Sequence, residues 1–199
     1  MFKSSPDHIK TYYNATSVER QLPRPALTED TTADVCIVGA GFFGMYCALE
    51  MARAGKKVVA VEASRVGWGA SGRNGGQLVP GWACGMEVLK YLLALARLVE
   101  AQGVRIHEQS QVSGYTETAD GMTVLLATGA RTRCDQVVLA ANAYLDEVGR
   151  KIASRVLPLG SFIGVTEVLG EAVCRSLMPN NHALYDKKFV LEYFRTTVD

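Results

Sequence analysis

The sequence has no block of like charge, no long apolar segment and no cluster of histidines and cysteines. Its 21 basic and 20 acidic side chains leave a net charge of +1, which gives nucleic-acid binding no electrostatic support. The uncharged run at residues 35–49 is shorter than the ~20 residues of a membrane-spanning helix and contains three glycines. We therefore expect a soluble, cytoplasmic protein that binds neither nucleic acid nor membrane.

Metal and disulfide chemistry also lack support. The five cysteines are scattered without a C-x-x-C pair, and the three histidines lie far apart. Buried, reduced thiols are typical of such a pattern in a cytosolic protein, so no metal site is predicted. Residues 1–33 contain Pro6, Pro23 and Pro25 and no apolar signal-peptide core, which predicts an arm, with the pair Tyr12 and Tyr13 packed against the body.

The most informative stretch is DVCIVGAGFFG at residues 34–44. The uncharged apolar run at its start predicts a strand of a parallel sheet, buried on both faces. The glycines that follow have the spacing G-x-G-x-x-G, which allows a tight turn, close approach of the backbone to a pyrophosphate, and tight helix packing. The free N–H groups of the next helix would face the phosphates. This motif is weak alone, so its context decides.

The residues that follow supply that context. Helix formers at 42–54 end at Gly55, and the apolar residues 58–61 predict a second buried strand. Glu62 stands 23 positions after Gly39, where the dinucleotide fingerprint places an acid that accepts hydrogen bonds from ribose hydroxyls. A carboxylate there disfavours the 2′-phosphate of NADP. The alternative, a glycine-rich turn of another α/β protein, remains, but the order of the elements favours dinucleotide binding.

A second glycine-rich segment occupies residues 63–77 and contains five glycines. Either a surface loop or a loop wrapped around a large polar ligand would have this composition. We favour the ligand, because small residues let the main chain approach it and several side chains supply hydrogen-bond donors.

The remaining chain predicts a helix at 86–102 and a third parallel strand at 104–107, in which His107 is a packed or edge residue. A small antiparallel meander follows at 111–118, 122–128 and 130–133, and a further buried strand at 135–142. We expect the strands at 34–38, 58–61 and 104–107 to be parallel neighbours, crossed by the helix at 42–54. Further on, the pattern predicts a strand at 158–167, a short helix at 170–177 and a strand at 189–195.

The phrases DVCIVGAGFFG, VVAVEAS, GWGASGRNGGQL and VVLAANAYL together resemble the D-amino-acid-oxidase-like family of FAD-dependent oxidoreductases. Within that family, GASGRNGGQL, VLPLGSFIGVTEVLG and FVLEYFR are most similar to the gamma-glutamylputrescine oxidoreductases. The resemblance implies an α/β fold, in which a Rossmann-like FAD-binding domain with an antiparallel meander at 34–156 follows the arm at 1–33. A fragment of a mixed α+β substrate domain would occupy 157–199. It also implies FAD as cofactor and a small amine as substrate, oxidised by hydride transfer from the carbon that bears the nitrogen.

The same resemblance implies cofactor-binding residues. The glycine turn would face the pyrophosphate through Gly39, Gly41 and Gly44, and Glu62 would take the adenosine ribose. Phe42, Phe43, Ala63 and Ser64 would also belong to the cofactor-binding residues. The second segment would approach the pyrophosphate and then the flavin through Gly69, Ala70, Ser71, Gly72, Arg73, Asn74, Gly75, Gly76 and Gln77. The backbone of Val112 would meet adenine, and Ala140 and Asn142 would lie near the phosphates, although many flavoproteins have glycine at the last position. The catalytic residues stay unknown, and Tyr144, Tyr193 and Arg195 receive no role.

The chain departs from this family in one internal region and at its end. Only residues 79–103 separate GASGRNGGQL from the strand VRIHE, where family members have a much longer stretch, so we expect an internal deletion near Leu89 and Lys90. Family members also continue past FVLEYFR. Two hypotheses remain open: an FAD-dependent amine oxidase, or a truncated, non-catalytic remnant that binds FAD or another nucleotide. We expect little amine turnover, and exposed apolar surface near Val190 and Phe194.

Overall fold

The computed structural model describes residues 5–18, 21–78, 84–145, 148–186 and 192–197. The strands in this part are β1 Thr31–Thr32, β2 Val35–Val38, β3 Val58–Val61, β4 Gln77–Leu78, β5 Cys84–Gly85, β6 Arg105–His107, β7 Val112–Thr118, β8 Gly121–Leu126, β9 Arg131–Cys134, β10 Gln136–Leu139, β11 Leu184–Tyr185 and β12 Tyr193–Phe194. The α-helices are α1 Tyr12–Ala15, α2 Phe42–Arg53, α3 Val88–Ala101, α4 Arg150–Ala153 and α5 Glu171–Leu177.

A four-stranded parallel sheet with the order β10-β2-β3-β6 forms the centre of the fold. Its middle strands, β2 and β3, are buried along their whole length, as their uncharged apolar runs predict. Register places Ile37 opposite Ala60 and Ala60 opposite Ile106. The predicted parallel arrangement of the three strands is therefore confirmed, and the α/β class with it.

Helices α2 and α3 cover one face of this sheet. Residues Val35, Ile37, Val58 and Ala60 point into this layer and share one core with Met45, Leu49, Leu92 and Val99 from the two helices. The predicted helices at 42–54 and 86–102 are confirmed, and each ends just before a glycine with positive φ, Gly55 or Gly103. Within the described ranges, none of the helices combines the length and apolar character that a membrane span requires.

A second sheet with the order β1-β9-β8-β7 covers the opposite face. Successive side chains of a strand point to opposite sides, so Cys36, Val38, Val59 and Val61 face this sheet and pack with Val112, Val124 and Leu126. The predicted antiparallel meander is confirmed. The sequence did not predict β1, which joins the end of the N-terminal arm in parallel to β9.

Other parts of the prediction need correction. The buried strand expected at 135–142 is the shorter β10, whose residues are half-buried or exposed because it lies at the edge of the parallel sheet. The strand expected at 158–167 does not form, and its residues are exposed. The last strand is reduced to β12, which pairs with β11, while residues 187–191, including Val190, lie outside the described residues. Phe194 is exposed, as expected.

Candidate nucleotide-binding site

The first glycine turn connects β2 to α2 at the carboxyl edge of the parallel sheet. Gly39 has φ +110°, and a Cβ at this position would lie 2.7 Å from the carbonyl oxygen of Ala140 after β10. A Cβ on Gly44 would lie 2.0 Å from the carbonyl oxygen of Gly39. Both positions therefore require glycine, because the helix start packs directly on the turn and on the end of β10.

The start of α2 presents main-chain N–H groups at this edge. The N–H of Phe42 donates to the hydroxyl oxygen of Ser71 at 3.0 Å. Among the described residues, the N–H groups of Phe43 and Gly44 have no hydrogen-bond acceptor. A helix of 12 residues directs its positive dipole end and these free N–H groups to the same place. This arrangement fits a phosphate group.

A second glycine turn follows β3 and repeats the first. Gly67, Gly69 and Gly72 have the same G-x-G-x-x-G spacing, and a Cβ on Gly72 would lie 2.1 Å from the carbonyl oxygen of Gly67. Gly67 has φ +77°, and its N–H donates to the carbonyl of Ala40 in the first turn at 3.1 Å. Our sequence interpretation missed this repeat, although the shared spacing would have revealed it. The two turns thus pack side by side.

Glu62 lies between the two turns. Its carboxylate accepts hydrogen bonds from the N–H of Ala40 at 2.8 Å and from the N–H of Ser64 at 3.0 Å. Burial above all raises the pKa of Glu62, Glu108 adds to the rise, and the N–H groups of Ala40, Ser64 and Ala63 oppose part of it. A carboxylate has about four acceptor sites, so this one can accept a further hydrogen bond, and the buried hydroxyl of Ser64 has no partner within the described ranges. Vicinal hydroxyls of a ribose fit these free groups.

The segment after β6 completes this end of the site. Ser110 donates its N–H to the carbonyl of Glu62 at 2.7 Å, and Gln109 donates to the carbonyl of Ser64 at 2.9 Å. These bonds bring the beginning of β7, with the buried Val112, beside the loop after β3. On the other side, Ala140 borders the first glycine turn, and Asn142 has φ +49°. The predicted residues of four strand ends therefore meet at one edge.

The side chains expected to approach the flavin make internal contacts. The guanidinium of Arg73 lies 4.4 Å from the centre of the Trp68 ring, and Asn74 accepts a hydrogen bond from the N–H of Gly76 at 2.9 Å. Gln77 donates to the carbonyl of Leu184 at 3.1 Å. These contacts shape the loop. The remaining predicted residues of this loop are Ala63, Gly69, Ala70 and Gly75. Gly75 lies against the ring of Tyr193.

A cluster missed by sequence reasoning adjoins this loop. Arg195 donates to the hydroxyl of Tyr13 at 3.1 Å and pairs with Glu87 at 3.2 Å. A Cβ on Gly76, which has φ +69°, would lie 3.2 Å from the same Tyr13 hydroxyl. The N-terminal arm, the start of α3 and the end of β12 therefore meet beside the expected flavin end. The sequence gave no local signal for this cluster, because its residues are far apart in the chain.

Glu108 forms a second unpredicted cluster. Its side chain is 3% exposed and pairs with Arg65 at 2.8 Å and with Arg24 of the arm at 3.4 Å. It also accepts the N–H of Val66 at 3.0 Å, so its oxygens are well occupied. His8, together with Arg65 and Glu108, lines a cavity of about 330 Å³, and the pKa of His8 is lowered chiefly by burial. This cluster anchors the arm and fixes the loop that follows Glu62.

Comparison with known proteins gives a family. The model of the DAO family, which is described as "FAD dependent oxidoreductase", matches residues 34–88 and 84–199. The chain is 28% identical to the probable oxidoreductase OrdL of Haemophilus influenzae over 97% of this chain and 69% of that protein. It is 27% identical to the gamma-glutamylputrescine oxidoreductase of Escherichia coli, over 97% of this chain and 68% of that protein.

Solved structures share the fold. Glycine oxidase from Geobacillus kaustophilus matches with a TM-score of 0.54 at 15% identity, covering 61% of this chain and 58% of that chain. The open form of NikD, an amino acid oxidase of nikkomycin biosynthesis, matches with a TM-score of 0.51 at 16% identity, covering 61% and 54%. The chain thus spans little more than half the length of these oxidases.

The sequence alignments also locate an internal gap. The alignment with the Haemophilus influenzae protein runs over 298 residues, whereas 97% of 199 residues is about 193, so about 105 aligned positions have no counterpart here. The two matches to the family profile meet at residues 84–88. This junction lies beside the deletion point expected near Leu89 and Lys90.

Proposed function

This chain belongs to the DAO family of FAD-dependent oxidoreductases, and we propose that it binds FAD along the carboxyl edge of its parallel sheet. The proposal rests on one observation above all: two glycine turns of the same geometry pack together there, with Glu62 between them. An extended dinucleotide needs such an edge, since its phosphates require close backbone approach and its ribose requires a fixed acceptor.

In the proposed complex, the phosphates lie at the free N–H groups of Phe43 and Gly44, and Ser71 and Arg73 border them from the second turn. The carboxylate of Glu62 and the hydroxyl of Ser64 hold the adenosine ribose, and the backbone near Val112 borders adenine. Residues 74–77 lead to the flavin ring. These assignments are supported by the free hydrogen-bonding groups at the start of α2 and beside Glu62.

We further propose that the reaction is oxidation of a small amine, with a gamma-glutamylputrescine-like compound as the first candidate. The name of the Escherichia coli relative supports this substrate class. Bound FAD supplies the hydride acceptor, and the chain supplies position and exclusion of water. The carbon that bears the amine loses a hydride and the nitrogen loses a proton, so the product is an imine that water hydrolyses. We assign no general base.

A non-catalytic nucleotide-binding protein is the second candidate. It is favoured by the absence of about 105 positions that the relatives have, since a flavin enzyme needs walls that orient the substrate and exclude water. Under both proposals, residues 1–33 are an arm, 34–156 bind the cofactor and 157–199 are part of a substrate domain. We also infer a cytoplasmic location, which the free cysteines described in the structure support.

Anaerobic titration of the FAD-loaded chain with amines distinguishes the two candidates. We would add gamma-glutamylputrescine, putrescine and several amino acids and follow the absorbance of oxidised flavin. Loss of that absorbance with one amine, and not with its N-acetylated form, supports the amine oxidase. Retained FAD that none of these compounds reduces, although dithionite reduces it, supports the nucleotide-binding protein. A chain that retains no FAD contradicts the amine oxidase and leaves the second candidate only if the chain binds another nucleotide, such as ADP, in the same titration.

A further inference from the structure

Cys36 and Cys134 lie in the core between the two sheets. Cys36 is on β2, and its side chain is on the face of the parallel sheet that the second sheet covers. Cys134 is the last residue of β9 in the second sheet, and it is buried in the same core. The two cysteines are 98 positions apart in the chain, so the sequence gave no sign that they meet.

The backbone around this pair is fixed by strand pairing. A single residue separates the end of β9 at Cys134 from the start of β10 at Gln136. The N–H of Gln136 donates to the carbonyl of Asp34 at 3.1 Å, and β10 then runs parallel to β2 with Val137 opposite Cys36. The main chain, and not side-chain packing alone, therefore brings Cys134 beside Cys36.

The two thiols interact directly. A hydrogen bond between their side chains has the largest effect on both groups, because it raises the pKa of Cys36 and lowers the pKa of Cys134. The Cys36 thiol is therefore the donor, and the Cys134 sulfur is the acceptor. The N–H groups of Cys36 and Gln136 also lower the pKa of Cys134, whereas burial and Asp135 raise it. The donors around Cys134 thus favour its thiolate form.

The accessibility of the two side chains differs in the same sense. Cys134 is 6% exposed and Cys36 is 0% exposed, so a small molecule that approaches the pair meets Cys134 first. A thiolate is the form of cysteine that reacts with peroxides, and the sulfenic acid that results condenses with a neighbouring thiol. The pair therefore combines an attacking sulfur at Cys134 with a second thiol at Cys36 that can resolve its oxidised form.

We propose that Cys36 and Cys134 form a reversible disulfide when the folded protein meets hydrogen peroxide. The Cys134 thiolate attacks one peroxide oxygen and the O–O bond breaks, which gives a sulfenic acid and a hydroxide that takes up a proton. The Cys36 thiol then attacks the sulfenic sulfur, and the hydroxyl group leaves as water with the Cys36 proton. Two thiols lose two electrons in all, and one peroxide becomes two water molecules. This proposal does not depend on FAD binding or on amine oxidation.

The disulfide would join the two layers of the fold. It links β2, at the centre of the parallel sheet, to β9 of the second sheet. It also closes a long loop of the chain, and in the chain-entropy model such a link stabilises the folded state by restricting the unfolded chain. Oxidation should therefore shift the urea midpoint of the protein upwards, and dithiothreitol should reverse the shift.

The test is peptide mapping by mass spectrometry after the full chain is treated with hydrogen peroxide under native conditions and its remaining thiols are alkylated. The parent should give one disulfide-linked pair of peptides, which contain Cys36 and Cys134. Cys36→Ala removes the resolving thiol, so Cys134 should remain as a sulfenic acid that dimedone traps. Cys47→Ser, on α2, is the control and should form the same disulfide as the parent.

The parent decides the matter even if Cys36→Ala does not fold. Cys36 and Cys134 that both stay reduced, a Cys134 oxidised only to the sulfinic acid, or disulfides only with other cysteines would each overturn the proposal. So would a link that appears only in urea, since it would then form in the unfolded chain. The urea midpoint gives a second readout: peroxide should raise it in the parent and in Cys47→Ser, but not in Cys134→Ala.

Discussion

The hydroxyl oxygen of Ser71 accepts a hydrogen bond from the N–H of Phe42 at 3.0 Å. Ser71 belongs to the second glycine turn, and Phe42 is the first residue of α2, which follows the first turn. The side chain of Ser71, in the second glycine turn, thus caps α2, the helix that follows the first turn. The two glycine-rich stretches, separate in sequence, therefore form one structural unit at the carboxyl edge of the sheet.

Ser71→Ala should destabilise the folded chain by about 1 kcal/mol, because the N–H of Phe42 then loses its acceptor in a partly buried site. The measurement is the urea midpoint and slope without cofactor. Ser64→Ala is the matched control, since the buried hydroxyl of Ser64 has no partner in the described part of the chain. An equal loss in both variants would contradict the capping role of Ser71.

Gly44→Ala should cost about 3 kcal/mol or more in the free energy of unfolding. The added Cβ would lie 2.0 Å from the carbonyl oxygen of Gly39, and backbone atoms cannot move aside as a side chain does. In Gly114→Ala the added Cβ meets no atom within 4 Å, so this control should remain within about 0.5 kcal/mol of the parent. Similar denaturation midpoints for the two variants would show that the helix start is not tightly packed.

Low pH should reduce the stability of the folded chain because His8, in the N-terminal arm, becomes protonated. Burial is the main cause that lowers the pKa of His8 below 6.5. Arg65 and Arg73 lower this pKa further, whereas Glu108 raises it. The unfolded chain therefore binds this proton first as the pH falls, and the stability contributed by neutral His8 is lost below about pH 6.5. His8→Gln should reduce the loss of unfolding free energy between about pH 7.5 and pH 5.

The exposed His182 provides the control for that comparison. His182→Gln should leave the parent's pH dependence unchanged. The raised pKa of Glu62 acts in the opposite direction, favouring the folded state as its carboxylate becomes protonated, so the relevant quantity is the difference between parent and variant. A parent and a His8→Gln variant with the same pH slope would contradict a buried, neutral His8.

Local sequence patterns predicted the elements whose conformation follows from the pattern of their own residues. The uncharged apolar runs of β2 and β3 and the apolar periodicity of α3 need only one rule each, and all three elements have nearly the predicted bounds. Residues 158–167 have an equally good strand pattern, but a strand needs a hydrogen-bonded neighbour, and a pattern within one segment does not reveal whether it has one.

The candidate site divides in the same way. Spacing alone indicated the first glycine turn and Glu62, because that fingerprint is compact in the chain. Glu108 gave no signal, since its partner Arg24 is 84 residues away and a single acid after a strand is common. The pairing of β1 with β9 could not be predicted from the sequence either, because two threonines have no distinctive pattern and tertiary contacts decide their conformation.

The central claim is that this edge of the sheet binds the adenosine half of FAD, and an equilibrium titration of FAD fluorescence tests it most directly. Glu62→Gln removes the charge that we propose accepts hydrogen bonds from ribose, and it should weaken FAD binding roughly ten- to hundredfold, corresponding to ~1.5–3 kcal/mol. Glu117→Gln, on an exposed strand position, should leave the affinity unchanged. FMN, which lacks adenosine, should bind the parent far more weakly than FAD. Equal FAD affinities for parent and Glu62→Gln, or equal affinities of the parent for FAD and FMN, would contradict the claim.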